Sequence, residues 1–209
     1  MNGLSSISEK IQWFGNDGGP MLILPREAFC FWEGTNNPSG GRIINSDFLP
    51  LYGSIYTDYD RACNAKYPAE FLQVGSSWGL AISETGASAA WLNVLDSNTR
   101  VAVCMMWGDD DSPRRLREIY SQVPECEWQI NCDFAPIKLG ELLLMHAACA
   151  SEINTHITRS DGLAVIGDAL VETIPAALVR IDSCVVELPD EEALISFHRF
   201  QKATNSSGL

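Results

Sequence analysis

The feature that most constrains this chain is a succession of short apolar runs, each five to eight residues long and each closed by turn residues. FLQVG at 71–75, WGLAIS at 78–83, AAWLNVL at 89–95 and RVAVCMMW at 100–107 follow one another with connections as short as DSNT between them. Runs of this length are too short for most helices and suit strands, and short connections join antiparallel neighbours. The stretch therefore predicts an antiparallel meander. Trp128, Ile130, Cys132 and Phe134 alternate strictly with polar residues, the period of a strand with one face buried. Further strands are expected at 141–148, 163–166, 178–188 and 194–200.

Helical signals are fewer. Met21–Leu24 reads as a strand stopped by Pro25, after which Arg26 to Trp32 suits a short helix ended by Gly34. Ser112 before Pro113 is an N-cap followed by proline at the first helical position, and Leu116, Ile119, Tyr120 and Val123 then recur at helical spacing up to Pro124. TNNPSGG at 35–41 is turn chemistry and marks a surface loop. The expected fold is a β-rich α+β protein of antiparallel sheets with a few short helices, in one or two closely packed subdomains. The divisions read from the sequence are a region at 12–135, a β-rich extension at 136–201 with a seam near Pro136, and a loose polar tail at 202–209.

Composition narrows the function. The 209 residues are 46% hydrophobic and 20% charged, with a formal net charge of -13. That is the make-up of a folded globule whose charge opposes the phosphates of nucleic acid and the anionic face of membranes. No partner of either kind is expected. MNGLSSISEKIQWF lacks a basic segment followed by an apolar run, and no run elsewhere approaches the ~18 residues of a membrane span, so a cytoplasmic protein is expected. Seven scattered cysteines, with no C-x-x-C pair, argue against a disulfide framework or a zinc site and for buried reduced thiols.

The chain lacks G-x-S-x-G, H-E-x-x-H and any dinucleotide or P-loop fingerprint. Gly15-Asn16-Asp17-Gly18-Gly19 has no G-K-[ST] and precedes a strand instead of following one. Asp109, Asp110 and Asp111 lack the alternate spacing of a calcium loop. No metal site, cofactor or catalytic residue is assigned. The alternatives to a binding protein are a small hydrolase or transferase pairing Cys149 or Cys184 with His146 or His198, and a non-catalytic scaffold module. Six Trp, five Tyr and eight Phe accompany the acidity. Carboxylates beside aromatics, as at Asp58, Tyr59 and Asp60 and at Trp107 with Asp109, Asp110 and Asp111, suit a basic protein partner that is steered by charge and anchored by rings.

Gly18-Gly19-Pro20-Met21-Leu22-Ile23-Leu24-Pro25, then Trp32-Glu33-Gly34, then Asp58-Tyr59-Asp60-Arg61-Ala62-Cys63, together resemble the immunity protein 21 family of bacterial polymorphic toxin systems. The resemblance runs on through Leu72 to Gly75, Gly79-Leu80, Ala90-Trp91-Leu92 and RVAVCMMW with its aspartates, covering about residues 12–123. It continues more loosely in Leu142 to Ala148 and His198-Arg199, with His146 where an acidic residue is expected. It implies a cytoplasmic antidote that binds and blocks its cognate toxin one to one, without chemistry or cofactor of its own. A basic toxin would match the acidic surface. Gly18, Gly19 and Pro20 are expected to shape the entry to a strand, and Trp32, Arg61 and Cys63 to belong to the structural motif. Asp58 and Asp60 are expected either to lock Arg61 and a loop in place or to touch the partner. Asp109, Asp110 and Asp111 are expected to touch the partner, because three adjacent like charges gain nothing from each other.

Overall fold

A computed structural model of the chain describes residues 11–15, 19–36, 57–83, 88–94, 96, 98–107, 112–135, 140–149, 157–160, 163–166, 169–174 and 179–203. The strands are β1 (Phe14–Gly15), β2 (Met21–Pro25), β3 (Ala69–Val74), β4 (Ser77–Ile82), β5 (Ser88–Leu92), β6 (Thr99–Trp107), β7 (Gln129–Ala135), β8 (Gly140–His146), β9 (Ile157–Ser160), β10 (Leu163–Ile166), β11 (Ala169–Ile174), β12 (Val179–Leu188) and β13 (Ala193–Lys202). Two α-helices, α1 (Asp58–Cys63) and α2 (Pro113–Gln122), and three short 3-10 helices complete the described elements. The fold is β-rich α+β with two antiparallel sheets and few short helices, as the apolar runs predict.

One sheet has six strands in the order β1-β5-β6-β13-β12-β7, and the other has seven in the order β3-β4-β2-β8-β11-β10-β9. They face each other across a core that includes Met21, Ile23, Leu80 and Leu144 from the seven-stranded sheet and Ala102, Cys104, Ile181 and Phe200 from the six-stranded one. The outer face of the seven-stranded sheet is covered by the 3-10 helix Arg26–Phe31 and by α1, over Leu22, Leu24, Leu143 and Met145. The outer face of the six-stranded sheet is covered by α2, through Leu116 and Ile119 on Val101, Val103, Ile195 and Phe197. Each central strand is therefore buried on both faces, which is why β2 reads as an unbroken apolar run and not as an alternation.

The expected meander is two hairpins in different sheets. β3 pairs with β4 in the seven-stranded sheet, whereas β5 pairs with β6 in the six-stranded one. The chain changes sheets between β4 and β5, and nothing in the alternation of apolar residues distinguishes a hairpin that stays from a strand that crosses. Both sheets draw strands from either side of Pro136: β8 lies between β2 and β11, and β13 lies between β6 and β12. β1, β9 and β11 are strands that the sequence patterns did not single out. The segment Arg26 to Trp32 is a 3-10 helix ending at Phe31, followed by Gly34 at φ +55°. Of the expected loop, residues 37–41 lie outside the described residues, as do 204–209 of the tail. The cysteines are not uniformly buried: Cys104 and Cys184 are, but Cys30 and Cys126 are exposed.

Candidate functional site

The resemblance motifs converge at one end of the seven-stranded sheet. α1 starts at Thr57, whose hydroxyl accepts from the Asp60 N–H at 3.1 Å while the Asp60 carboxylate accepts from the Thr57 N–H at 2.8 Å. This reciprocal capping box satisfies two backbone donors that the short helix cannot. Asp58 accepts from Arg61 at 2.8 Å and from the Glu33 N–H at 3.0 Å, and Arg61 also donates to the Gln73 carbonyl at 2.6 Å. Asp58 and Arg61 are thus internal ties joining α1 to the turn after the 3-10 helix and to strand β3, while Asp60 caps α1 itself. Asp58, Asp60 and Arg61 are only 1%, 2% and 6% exposed. Of the two carboxylates, Asp58 is the one that pairs with Arg61, whereas that of Asp60 bonds Thr57.

Around α1 the remaining motif residues meet. Trp32 is fully buried and donates from its indole to the Ala147 carbonyl at 2.8 Å. The Tyr59 N–H donates to the Gly34 carbonyl at 3.0 Å, and the Ala147 N–H donates to the Pro20 carbonyl at 3.0 Å. Gly19 has φ +94°, and a Cβ there would overlap the Tyr59 hydroxyl and press on His146 Nε2, so both the backbone angle and the space exclude a side chain. Tyr59 and His146 stack with ring centres 6.1 Å apart. His146 Nδ1 accepts from the Ala148 N–H at 3.2 Å, and Nε2 is on the side facing Gly19. The half-buried Cys63 thiol is pushed above its ordinary value by burial, the opposite of an activated nucleophile. Gly18 lies outside the described residues. The part of His146 in this cluster was not predictable from periodicity; its one signal was its place in a run joined to the motifs by resemblance.

Of the other candidate partner residues, Trp107 alone is among the described ones. Trp107 ends β6, opposite Leu194 of β13. Asp109, Asp110 and Asp111 fall in residues 108–111, outside the described residues and immediately before the α2 N-cap Ser112. Beneath α2 is an ion network that the sequence did not reveal. Arg199 donates to Asp182 at 2.8 Å and to both oxygens of Glu125 at 2.8 and 2.7 Å, and its guanidinium lies 4.1 Å over the Trp128 ring. Asp182 also accepts from Arg180 and Gln201. Burial alone would pull the Arg199 guanidinium down, but Glu125 and Asp182 hold it above its ordinary value, and the same pairing lowers Glu125.

Between the sheets, His198 is wholly buried and hydrogen-bonded on both ring nitrogens. Asn131 donates to the Ala69 carbonyl, so its side-chain oxygen faces Ser183 and takes that hydroxyl's proton at 2.6 Å. Ser183 must then accept from His198 Nδ1, and Nε2 accepts from Ser196. This chain of four side chains, Ser196, His198, Ser183 and Asn131, ties β13, β12 and β7 to the edge of the opposite sheet. Burial pulls the His198 ring down to about 3, so it stays neutral.

Cys184 lies on the other face of its strand, with Phe197 under α2, and burial pushes its thiol up to about 12. The Cys184–His198 pair considered as nucleophile and base is therefore split across the sheet. Among the described residues no group of three or more His, Cys, Asp or Glu is placed to hold a metal ion.

Two depressions flank α2. One, of about 610 Å³, includes Val94, Asp96, Arg114, Arg117 and Tyr120 in its lining. The other, of about 310 Å³, lies between the C-terminal half of α2 and β12. Among the described residues no helix is long and apolar enough to cross a membrane. Searches of curated proteins and of solved structures found no match. The family model described as immunity protein 21 matches residues 12–189, a span that takes in the α1 cluster and, of the described strands, all but β13. The chain belongs to the immunity protein 21 family.

Proposed function

We propose that the protein is the antidote of a polymorphic toxin system, acting in the cytoplasm by binding its cognate toxin one to one, with no reaction of its own. The observation that carries this reading is the match of an immunity protein family over residues 12–189. The buried chemistry is compatible with it. Asp58, Asp60, Arg61, Asp182 and His198 are buried and hydrogen-bonded within the protein. The net charge of -13 is then available at the surface to draw in a basic toxin. Asp109, Asp110 and Asp111, with Trp107, remain the proposed partner contacts, with Tyr59 as a further one at the α1 cluster.

Co-expression with the product of the adjacent reading frame tests the reading. Rescue of growth together with a one-to-one complex on gel filtration is the expected result. A toxic neighbour that is neither rescued nor bound would overturn it.

A further inference from the structure

The depression between α2 and β12 is built to receive part of a partner. Its floor is apolar: Ile119 from α2, Val123 at the cap that ends it, and Val186 and Leu188 from β12. Val123, Val186 and Leu188 are only partly covered by the rest of the chain. Strand pairing leaves the place open, because β7 accompanies β12 only as far as Ser183 opposite Gln129. From Cys184 to Leu188, β12 is paired on one edge alone among the described residues, by β13. The rim is acidic. Glu127 and Glu187 line it and are exposed, and Asp190 follows β12 in an exposed turn. Among the described residues, Arg115 is the one cation of the lining.

The larger depression on the other side of α2 has no such acidic rim. Arg114 there is paired with Glu118, and Arg199 with Glu125 and Asp182. With Arg117, its lining sets three cations against Asp96 and Glu118, the wrong balance for a basic segment.

We infer that the α2–β12 groove is the seat of a cationic segment of the toxin, one that presents a lysine or arginine to Glu127 and Glu187 and an apolar side chain to Val123, Val186 and Leu188. This rests on the antidote reading and names the surface that performs it. An apolar floor within a charged rim is the usual arrangement of an anchoring pocket, with desolvated contacts at the centre and steering charges around them. A basic side chain with a long aliphatic stem satisfies both parts at once.

The test uses the toxin that the wild-type protein neutralises, with association and dissociation rates measured at several salt concentrations. Glu127→Gln with Glu187→Gln is expected to slow association about three- to tenfold and to flatten its salt dependence. Val186→Lys, which sets a like charge on the floor, is expected to speed dissociation about tenfold or more. Glu27→Gln, on the helix covering the other sheet, is expected to change neither rate. Melting temperatures within a degree or two of wild type show that each variant is folded. If the folded groove variants bind as wild type does, the groove is not the seat and the antidote reading stands. If wild type itself binds no toxin, both fall together.

Discussion

Asp58 and Asp60 are separated by one residue and by very different consequences of loss. Asp58 neutralises Arg61 inside the protein, so Asp58→Ala leaves a buried guanidinium without its carboxylate and is expected to cost about 3–5 kcal/mol, read as a loss of denaturant midpoint. Asp60 caps α1, and Asp60→Ala is expected to cost about 1–2 kcal/mol while leaving affinity for the toxin unchanged. A fall in affinity without a fall in stability would return Asp60 to the interface.

His198 gives a pH signature. Its native value, about 3, lies below the ordinary 6.5. Between those values the unfolded chain takes up a proton that the native state does not, so stability is complete above about pH 6.5 and declines as pH falls. The slope approaches about 1.4 kcal/mol per pH unit. Glu125, lowered by Arg199, adds its own loss only at more acid pH. Urea midpoints between pH 6.5 and 5 should therefore fall in wild type and stay nearly level in His198→Gln, whose amide keeps a donor and an acceptor.

At the scale of elements, α2 was the most legible part of the chain. Ser112 caps it, Pro113 opens it, and Leu116 and Ile119 face the sheet, each for a local reason that sequence displays. Ser112→Ala is expected to cost about 1 kcal/mol and to lower the helix signal in circular dichroism slightly. The central strands were legible for the same reason: β2, β4 and β6 announce burial in composition alone. Sheet membership was not, because β4 and β5 carry the same kind of residues and go to different sheets. Nor could spacing bring Gly19, Tyr59 and His146 together, since the contact depends on β2 lying against β8 with Met21 opposite His146. α1 appeared only as a polar cluster, because six residues held by a capping box and an ion pair have no apolar period to read. The Arg199 network escaped notice because its members, Glu125, Asp182 and Arg199, are distant in sequence and ordinary one by one.

For the whole molecule, interleaving decides how the chain divides. The sheets exchange strands across Pro136, so a fragment ending at residue 135 would lack β8 from the centre of one sheet and β12 and β13 from the centre of the other. Such a fragment is expected to show no cooperative unfolding transition. A sharp transition would establish 12–135 as an independent unit. The same arrangement places most stabilising pairings between residues far apart in sequence, which predicts slow folding relative to helical proteins of this size.

β3 is an edge strand of the seven-stranded sheet, yet two of its carbonyls are occupied from outside: Ala69 by Asn131 and Gln73 by Arg61. An open β edge is a template on which a second copy, or an unfolding neighbour, can begin a fibril. Arg61 and Asn131 act as stoppers at either end of that template. The side chains that fasten α1 and join the two sheets therefore also keep the molecules apart.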